Sequence, residues 1–161
     1  MKSNVCFVDT VCWIALLNRQ DRFHDVADKH YKNLMRSGTR FVTTTSVLDE
    51  TANVLCDPAF KPSVITFHRN LETSSRVEII FIDPLLWSKV WALYEDRKDK
   101  SWSLMDCIYI SIMQERGIDD LLTSDQHFVQ AGFHALLIER DSSGLSDIWI
   151  PQLITQRRDR I

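Results

Sequence analysis

Short apolar segments alternate with amphipathic ones along most of this 161-residue chain. Val5–Val8 has the β-branched and aromatic residues of a buried strand, whereas Asp21–Ser37 carries its apolar residues at the helical spacing of 3.6. Alternating strands and helices are joined by crossover connections, which make the strands parallel and cover both faces of the sheet with helices. The pattern therefore predicts an α/β fold with a mostly parallel central sheet.

Five strands are predicted, and a helix is predicted in each long interval between them. The strands are Val5–Val8, Arg40–Thr43, Val77–Ile82, Leu121–Thr123 and Ala135–Ile138, of which the third has the strongest strand composition. The helix that follows the second strand is expected to begin at a cap formed by Thr45 or Ser46. The chain length is that of one domain. We expect residues 1–140 to form it and residues 141–161 to be a C-terminal extension of unclear structure.

Composition narrows the class of protein further. The net charge is −3, so binding to a polyanion would need a local basic patch, for which Asp96–Lys100 and Gln156–Arg160 are candidates. The four cysteines form no C-x-x-C pair and stand in apolar contexts, which is typical of reduced core residues. The sequence has neither a signal-peptide pattern at its start nor an apolar run long enough to span a bilayer. These features predict a cytoplasmic protein.

Four carboxylates stand where four of the segments end or turn: Asp9, Glu50, Asp106 and Asp125. Asp9 directly follows the first predicted strand, and Asp125 follows the fourth. Ligands of parallel sheets bind beyond the carboxyl ends of the strands, so at least these two acids are expected to converge. Clustered carboxylates do not all stay ionised at neutral pH without a cation, and oxygen ligands suit Mg²⁺ or Mn²⁺.

Each acid also has an ordinary structural explanation. Asp9 and Asp125 are good N-caps for the helices that follow them, and Asp106 forms an approximate capping box with Ser103. Glu50 is different, because helical spacing places it on one stripe with Val47 and Val54, where an unpartnered carboxylate is costly. Capping and metal binding are compatible roles, and the coincidence of all four acids favours a functional site.

The segments around these acids form four short motifs in a fixed order: Phe7–Ile14, Ser46–Leu55, Ser103–Ile108, and Leu122–Phe128 followed by Ala131–Phe133. Together they resemble the motifs of the PIN-domain ribonucleases, especially the VapC-like toxins of toxin–antitoxin pairs. The resemblance implies a three-layer α/β/α sandwich and Mg²⁺- or Mn²⁺-dependent cleavage of single-stranded or structured RNA. It also implies a small antitoxin protein as partner and a homodimer.

The resemblance assigns the metal site to the four acids. Asp9 and Asp106 are expected to bind metal directly, whereas Glu50 and Asp125 would bind a second ion or orient the attacking water. Other side chains have roles that the sequence leaves open, with the ordinary structural role preferred for Trp102 and His127. Thr10, Ser46 and Thr123 are candidates for helix caps or for holding outer waters, and Arg97 and Lys100 for contacts to RNA phosphates. Asp99 is either a peripheral acid or a loop residue. Trp102 either packs or stacks on a base, and His127 either caps or packs, or acts as a base.

Three other kinds of protein fit parts of the pattern. A phosphoacceptor signalling domain needs a second acid beside the first strand's Asp and a Lys after the last strand. Here Thr10 follows Asp9, and Glu139 follows Ile138. The same single acid argues against an Asp-x-Asp phosphatase. A PIN-like scaffold that binds RNA without cleaving it is the third alternative, and the presence of all four acids argues against it.

Overall fold

The computed structural model describes residues 4–138 of the chain. Within that range the chain forms five strands and seven helices, which alternate as predicted. In chain order they are β1 (Val5–Val8), α1 (Thr10–Leu17), α2 (His24–Arg36), β2 (Arg40–Thr44), α3 (Thr45–Val54), α4 (Lys61–Thr73), β3 (Val77–Ile80), α5 (Pro84–Asp96), α6 (Leu104–Arg116), β4 (Asp120–Leu122), α7 (Gln126–Gln130) and β5 (His134–Ala135). The predicted α/β class is confirmed. None of the helices between residues 4 and 138 is both long and apolar enough to cross a membrane.

The five strands form one sheet in the order β3-β2-β1-β4-β5, and every neighbouring pair is parallel. Phe7 in the central strand pairs with Val42 on one side and with Leu121 on the other. The chain builds the sheet outward from β1 in one direction and then, from β4 onward, in the opposite direction. The carboxyl ends of β1 and β4 therefore flank a topological switch point, which is where open α/β sheets bind ligands.

The core is densest around β1 and α6. Cys6, Phe7 and Val8 are buried, as expected for a strand covered on both faces. Seven residues of α6 are buried, so this helix is enclosed on most of its circumference. The polar atoms under the end of β1 are satisfied, since Trp13 Nε1 donates to Thr43 Oγ1 at 3.2 Å and that hydroxyl donates to the Val8 carbonyl at 3.1 Å.

Two strands are weaker than their sequences suggest. The third strand is four residues long at one edge of the sheet, and all four of its residues are only half-buried. At the other edge the strand predicted at Ala135–Ile138 is the two-residue β5 at His134–Ala135, which pairs with a strand that is itself three residues long. One expectation about the cysteines was wrong: Cys6, Cys12 and Cys107 are buried and reduced, but Cys56 is exposed.

The helix that carries Glu50 begins at a different cap from the one predicted. Thr44, at the end of β2, is the N-cap of α3, and its side chain accepts a hydrogen bond from Val47 N at 3.1 Å. Its extended backbone, with φ −126° and ψ 160°, is the conformation an N-cap requires, whereas Thr45 already lies within the helix. The strand continues one residue further than expected, and the cap therefore moves back from Thr45 or Ser46.

We predict that Thr44→Ala lowers the free energy of unfolding by about 1 kcal/mol, because Val47 N loses its only side-chain acceptor at a buried helix start. Thr45→Ala is the matched control, since it makes the same change at the next position without removing a capping hydrogen bond. Urea denaturation of the three proteins at one pH measures the difference. A larger loss for Thr45→Ala would contradict the assigned cap.

Candidate active site

Asp9 is fixed at the carboxyl end of β1, where it is the N-cap of α1. Its carboxylate accepts hydrogen bonds from Thr10 N at 2.6 Å and from Thr123 Oγ1 at 2.7 Å. Removal from water raises the pKa of Asp9 from 3.8 to about 6, against the opposing effect of the bonds from Thr123 and Thr10. The nearby Glu50 carboxylate also raises this pKa. A carboxylate in this position is costly to ionise unless a cation is close.

Glu50 faces the same place from α3, but it is not turned toward the core. Its Oε2 accepts a hydrogen bond from Thr10 Oγ1 at 2.7 Å, so Thr10 links it to the first turn of α1. The prediction that Glu50 shares an inward stripe with Val47 and Val54 was wrong. The core-facing side of α3 carries Val47 and Thr51, one helical turn apart, whereas Glu50 and Val54 are exposed.

Asp106 lies in the first turn of α6 within the predicted capping box. Its Oδ2 accepts from Ser103 N at 2.7 Å, and its own N–H donates to Ser103 Oγ at 3.1 Å. The residue is 7% exposed. Burial raises the pKa of Asp106, the nearby Asp125 carboxylate adds to that rise, and the hydrogen bonds with Ser103 oppose it. The predicted capping box is confirmed, and it fixes the orientation of the Asp106 carboxylate.

Asp125 follows β4 and caps α7, where its Oδ1 accepts from His127 N at 2.8 Å. Its own N–H donates to Thr123 Oγ1 at 3.2 Å. Because the same hydroxyl donates to Asp9, the buried Thr123 connects the acid at the end of β1 with the acid at the end of β4. The expected convergence at the switch point is therefore visible in the hydrogen bonds.

A second group of potential ligands forms around Asp106. One carboxylate oxygen of Asp106, one of Asp125 and a ring nitrogen of His127 all lie within 4.8 Å of one another. The Nδ1 atom of His127 is 3.4 Å from Asp106 Oδ2 and 3.6 Å from Asp125 Oδ1. That nitrogen is buried and makes no hydrogen bond within the described residues. The structure thus brings Asp106 to Asp125, and Asp9 to Glu50, with Thr123 between the two pairs.

The sequence prediction missed two residues at the site. For His127, capping or packing was preferred to a role as a base, and the position of its Nδ1 facing two acids was not predicted. Tyr109, buried on α6, interacts through its phenol with both Asp9 and Thr10. A sequence signal for Tyr109 does exist, since it is three residues after Asp106 and so lies on the same side of the helix.

The remaining candidates lie in ordinary structural settings. Trp102 is 8% exposed and packs under the Arg97 guanidinium at 4.8 Å, which confirms packing as its preferred role. Asp99 accepts from Arg97 at 3.0 Å and lies 3.7 Å from Lys100, so it is a surface ion-pair partner of two predicted RNA contacts. Ser46 lines an open cavity of about 520 Å³ beside Glu50. The basic run Gln156–Arg160 lies outside the described residues.

The comparisons with known proteins agree with this geometry. A sequence model of the family described as "PIN domain" matches residues 6–134. The chain is 31% identical over 131 residues to the "23S rRNA-specific endonuclease VapC20" of two Mycobacterium tuberculosis strains, CDC 1551 / Oshkosh and H37Rv, covering 79% of this chain and 94% of each relative. It also resembles the crystal structure of VapC20, titled a "Sarcin-Ricin loop cleaving toxin", with a TM-score of 0.67 and 26% identity over 80% of this chain and 95% of that one.

The raised pKa of Asp9 predicts a specific dependence of stability on pH. Between about pH 4 and pH 6 the folded protein retains a proton at Asp9 that the unfolded chain has released, so stability falls as the pH rises through this window. The difference between 3.8 and about 6 corresponds to roughly 3 kcal/mol. We predict that Asp9→Asn removes this loss. Urea denaturation of both proteins in EDTA from pH 4 to 7.5 measures it, and parallel curves would contradict the prediction.

A second prediction separates charge from capping at Asp106. Asp106→Asn keeps an oxygen that can accept from Ser103 N and removes the repulsion from Asp125, so without metal it should be at least as stable as the wild type. Asp106→Ala also removes the charge but leaves Ser103 N without its acceptor, and should be about 1 kcal/mol less stable than the Asn variant. Urea denaturation in EDTA compares them. Equal destabilisation by both variants would show that the charge itself stabilises the fold.

Proposed function

This chain belongs to the PIN-domain family, and from that membership we propose that it is an endoribonuclease of the toxin kind, which hydrolyses phosphodiester bonds in RNA. The observation that carries the proposal is the arrangement of Asp9, Glu50, Asp106 and Asp125 around the switch point between β1 and β4. Fold alone does not define a reaction, but acids that converge at the ligand-binding edge of the sheet do limit the possible chemistry.

We propose Mg²⁺ or Mn²⁺ as the cofactor. The donor set consists of carboxylate oxygens, which both ions accept. Within residues 4–138, no Lys or Arg side chain forms an ion pair with any of the four acids. Burial and a nearby carboxylate, Glu50 for Asp9 and Asp125 for Asp106, raise the pKa values of both acids, while the His127 ring opposes the rise at Asp106. These residues fit a divalent metal site.

The four acids have different proposed roles in metal binding and in orienting water. When bound, a divalent ion supplies charge neutralisation at the phosphate and lowers the pKa of water. Asp9 and Asp106 are rigid, since each is fixed by a backbone N–H and lies at a helix start, and they are the proposed direct ligands. Glu50 is exposed and bonded to Thr10 through Oε2, so it is suited to orient a water or to bind a second ion. Asp125 is proposed for the same two roles, orienting a water or binding a second ion.

The substrate is proposed to be single-stranded or structured RNA. The relative VapC20 is named for its action on 23S rRNA, and its crystal structure is titled as that of a toxin cleaving the sarcin–ricin loop. Identity of 31% over most of both chains supports a shared reaction type. The similarity to this relative makes ribosomal RNA the first substrate to test. The open cavity beside Glu50, about 520 Å³, offers room for part of a nucleotide next to the acids.

Three further proposals follow from the family. The first is a small antitoxin protein as partner, as the toxin relative suggests. The second is a homodimer, for which the exposed aromatic residues Trp87, Trp91 and Tyr94 on α5 offer apolar surface. The third is a cytoplasmic location, which is consistent with three buried reduced cysteines and with an RNA substrate. A phosphoacceptor signalling role is not favoured, because the family model that matches residues 6–134 is that of the PIN domain.

We predict that RNA cleavage by protein treated with EDTA is lost and is restored by millimolar Mn²⁺ or Mg²⁺. Asp9→Asn and Asp106→Asn should each lower the cleavage rate by at least a hundredfold, because each removes a charged ligand. Asp28→Asn is the matched control, since Asp28 is a surface residue of α2 paired only with Lys32. Gel analysis of 23S rRNA and of an unstructured RNA measures the rates. Undiminished cleavage by the chelated protein would exclude the metal-dependent mechanism.

A further inference from the structure

We propose that His127 is an additional metal ligand, acting through Nδ1 together with Asp106 and Asp125, and that it makes the site prefer Mn²⁺ over Mg²⁺. This inference rests on the proposed metal-dependent function and goes beyond it, since the family resemblance assigns the site to acids alone. It is carried by the position of one atom, the Nδ1 of His127. This nitrogen is buried, faces two carboxylates and makes no hydrogen bond among the described residues.

The spacing of the three atoms suits a single ion better than it suits hydrogen bonds. Nδ1 lies 3.4 Å and 3.6 Å from its two oxygen neighbours, which is long for a charge-assisted N–H···O bond. Adjacent ligand atoms of an octahedral ion with bonds of about 2.1 Å are separated by roughly 3 Å. A contraction of a few tenths of an ångström would bring Nδ1 to that separation from both oxygens, and the three ligand atoms already lie within 4.8 Å of one another. Coordination through Nδ1 requires the neutral tautomer, with the proton on Nε2.

The short helix α7 fixes the imidazole in this place. Asp125 accepts from the backbone N–H of His127, so the ring and the acid belong to one turn of chain. The next residue, Phe128, is buried and stacks on Tyr109 with ring centres 5.7 Å apart and an angle of 18°. Phe128 thereby fastens α7 against α6, the helix that carries Asp106. Because this packing holds the two helices together, the His127 ring faces Asp106.

A nitrogen ligand changes which ion the site prefers. Mg²⁺ binds oxygen ligands and releases its waters reluctantly, whereas first-row transition ions accept imidazole nitrogen more readily. Two carboxylates and one imidazole thus form a mixed set that should favour Mn²⁺. Four acids without the imidazole would discriminate less between the two ions.

The test measures metal binding directly, on the full-length protein after treatment with EDTA and dialysis. Isothermal titration with Mn²⁺ and separately with Mg²⁺ gives both dissociation constants for the wild type and for His127→Ala. We expect His127→Ala to weaken Mn²⁺ binding at least tenfold and Mg²⁺ binding less than threefold. His134→Ala is the matched control, because His134 also contacts an aspartate, Asp120 at 2.8 Å, but at the opposite end of β4. It should leave both constants unchanged.

A spectroscopic measurement on the wild type does not depend on how the variants fold. Electron spin echo modulation of bound Mn²⁺ detects a coordinated ¹⁴N nucleus, and we expect that signal in the wild type and in His134→Ala but not in His127→Ala. Bound Mn²⁺ without nitrogen coupling would overturn the role of His127 and leave the proposed nuclease intact. Failure of the wild type to bind either ion would instead overturn the metal-dependent function, and this inference with it.

Discussion

A single buried hydroxyl joins the two strand ends on which the site depends. Thr123 Oγ1 donates to the Asp9 carboxylate at 2.7 Å and accepts from Asp125 N at 3.2 Å, across a separation of 114 residues from Asp9. The parallel pairing of β1 with β4 brings these positions together, and the hydroxyl then joins the Asp9 carboxylate to the backbone of Asp125. Because Thr123 is fully buried, this geometry is protected from competition by water.

The cost of the arrangement is electrostatic. The pKa values of Asp9 and Asp106 are both raised, chiefly by burial and further by another carboxylate nearby. A fold selected for stability alone would not collect such groups at one sheet edge, since each ionised acid weakens the others. Raised carboxylate pKa values at a topological switch point are instead typical of sites that bind a positively charged ligand. Under the proposed function, the same repulsion that destabilises the protein without metal would favour the binding of a cation.

The sequence predicted the fold well and the site in part. Alternation of segments was enough for the parallel sheet, and local signals were enough for the caps at Asp9 and Asp106, because both depend on neighbours within a few residues. Side-chain direction was harder to predict. Glu50 was expected to face inward, but the residues that α3 buries are Val47 and Thr51. The contact of His127 with Asp106 depends on the packing of two helices, which no local pattern encodes.

Capping and catalysis are not competing explanations for these acids. Asp9 and Asp125 are helix N-caps, and Asp106 is part of a capping box. Each of the three carboxylates accepts a hydrogen bond from a backbone N–H at 2.6 to 2.8 Å. Such a bond uses part of a carboxylate's accepting capacity and restricts its rotation, which lowers the entropy that metal binding would otherwise lose. Helix starts also carry partial positive charge, which stabilises the ionised form. Helix capping, which gives these residues an ordinary role in the sequence, is therefore also the physical means by which the fold would orient the proposed metal ligands.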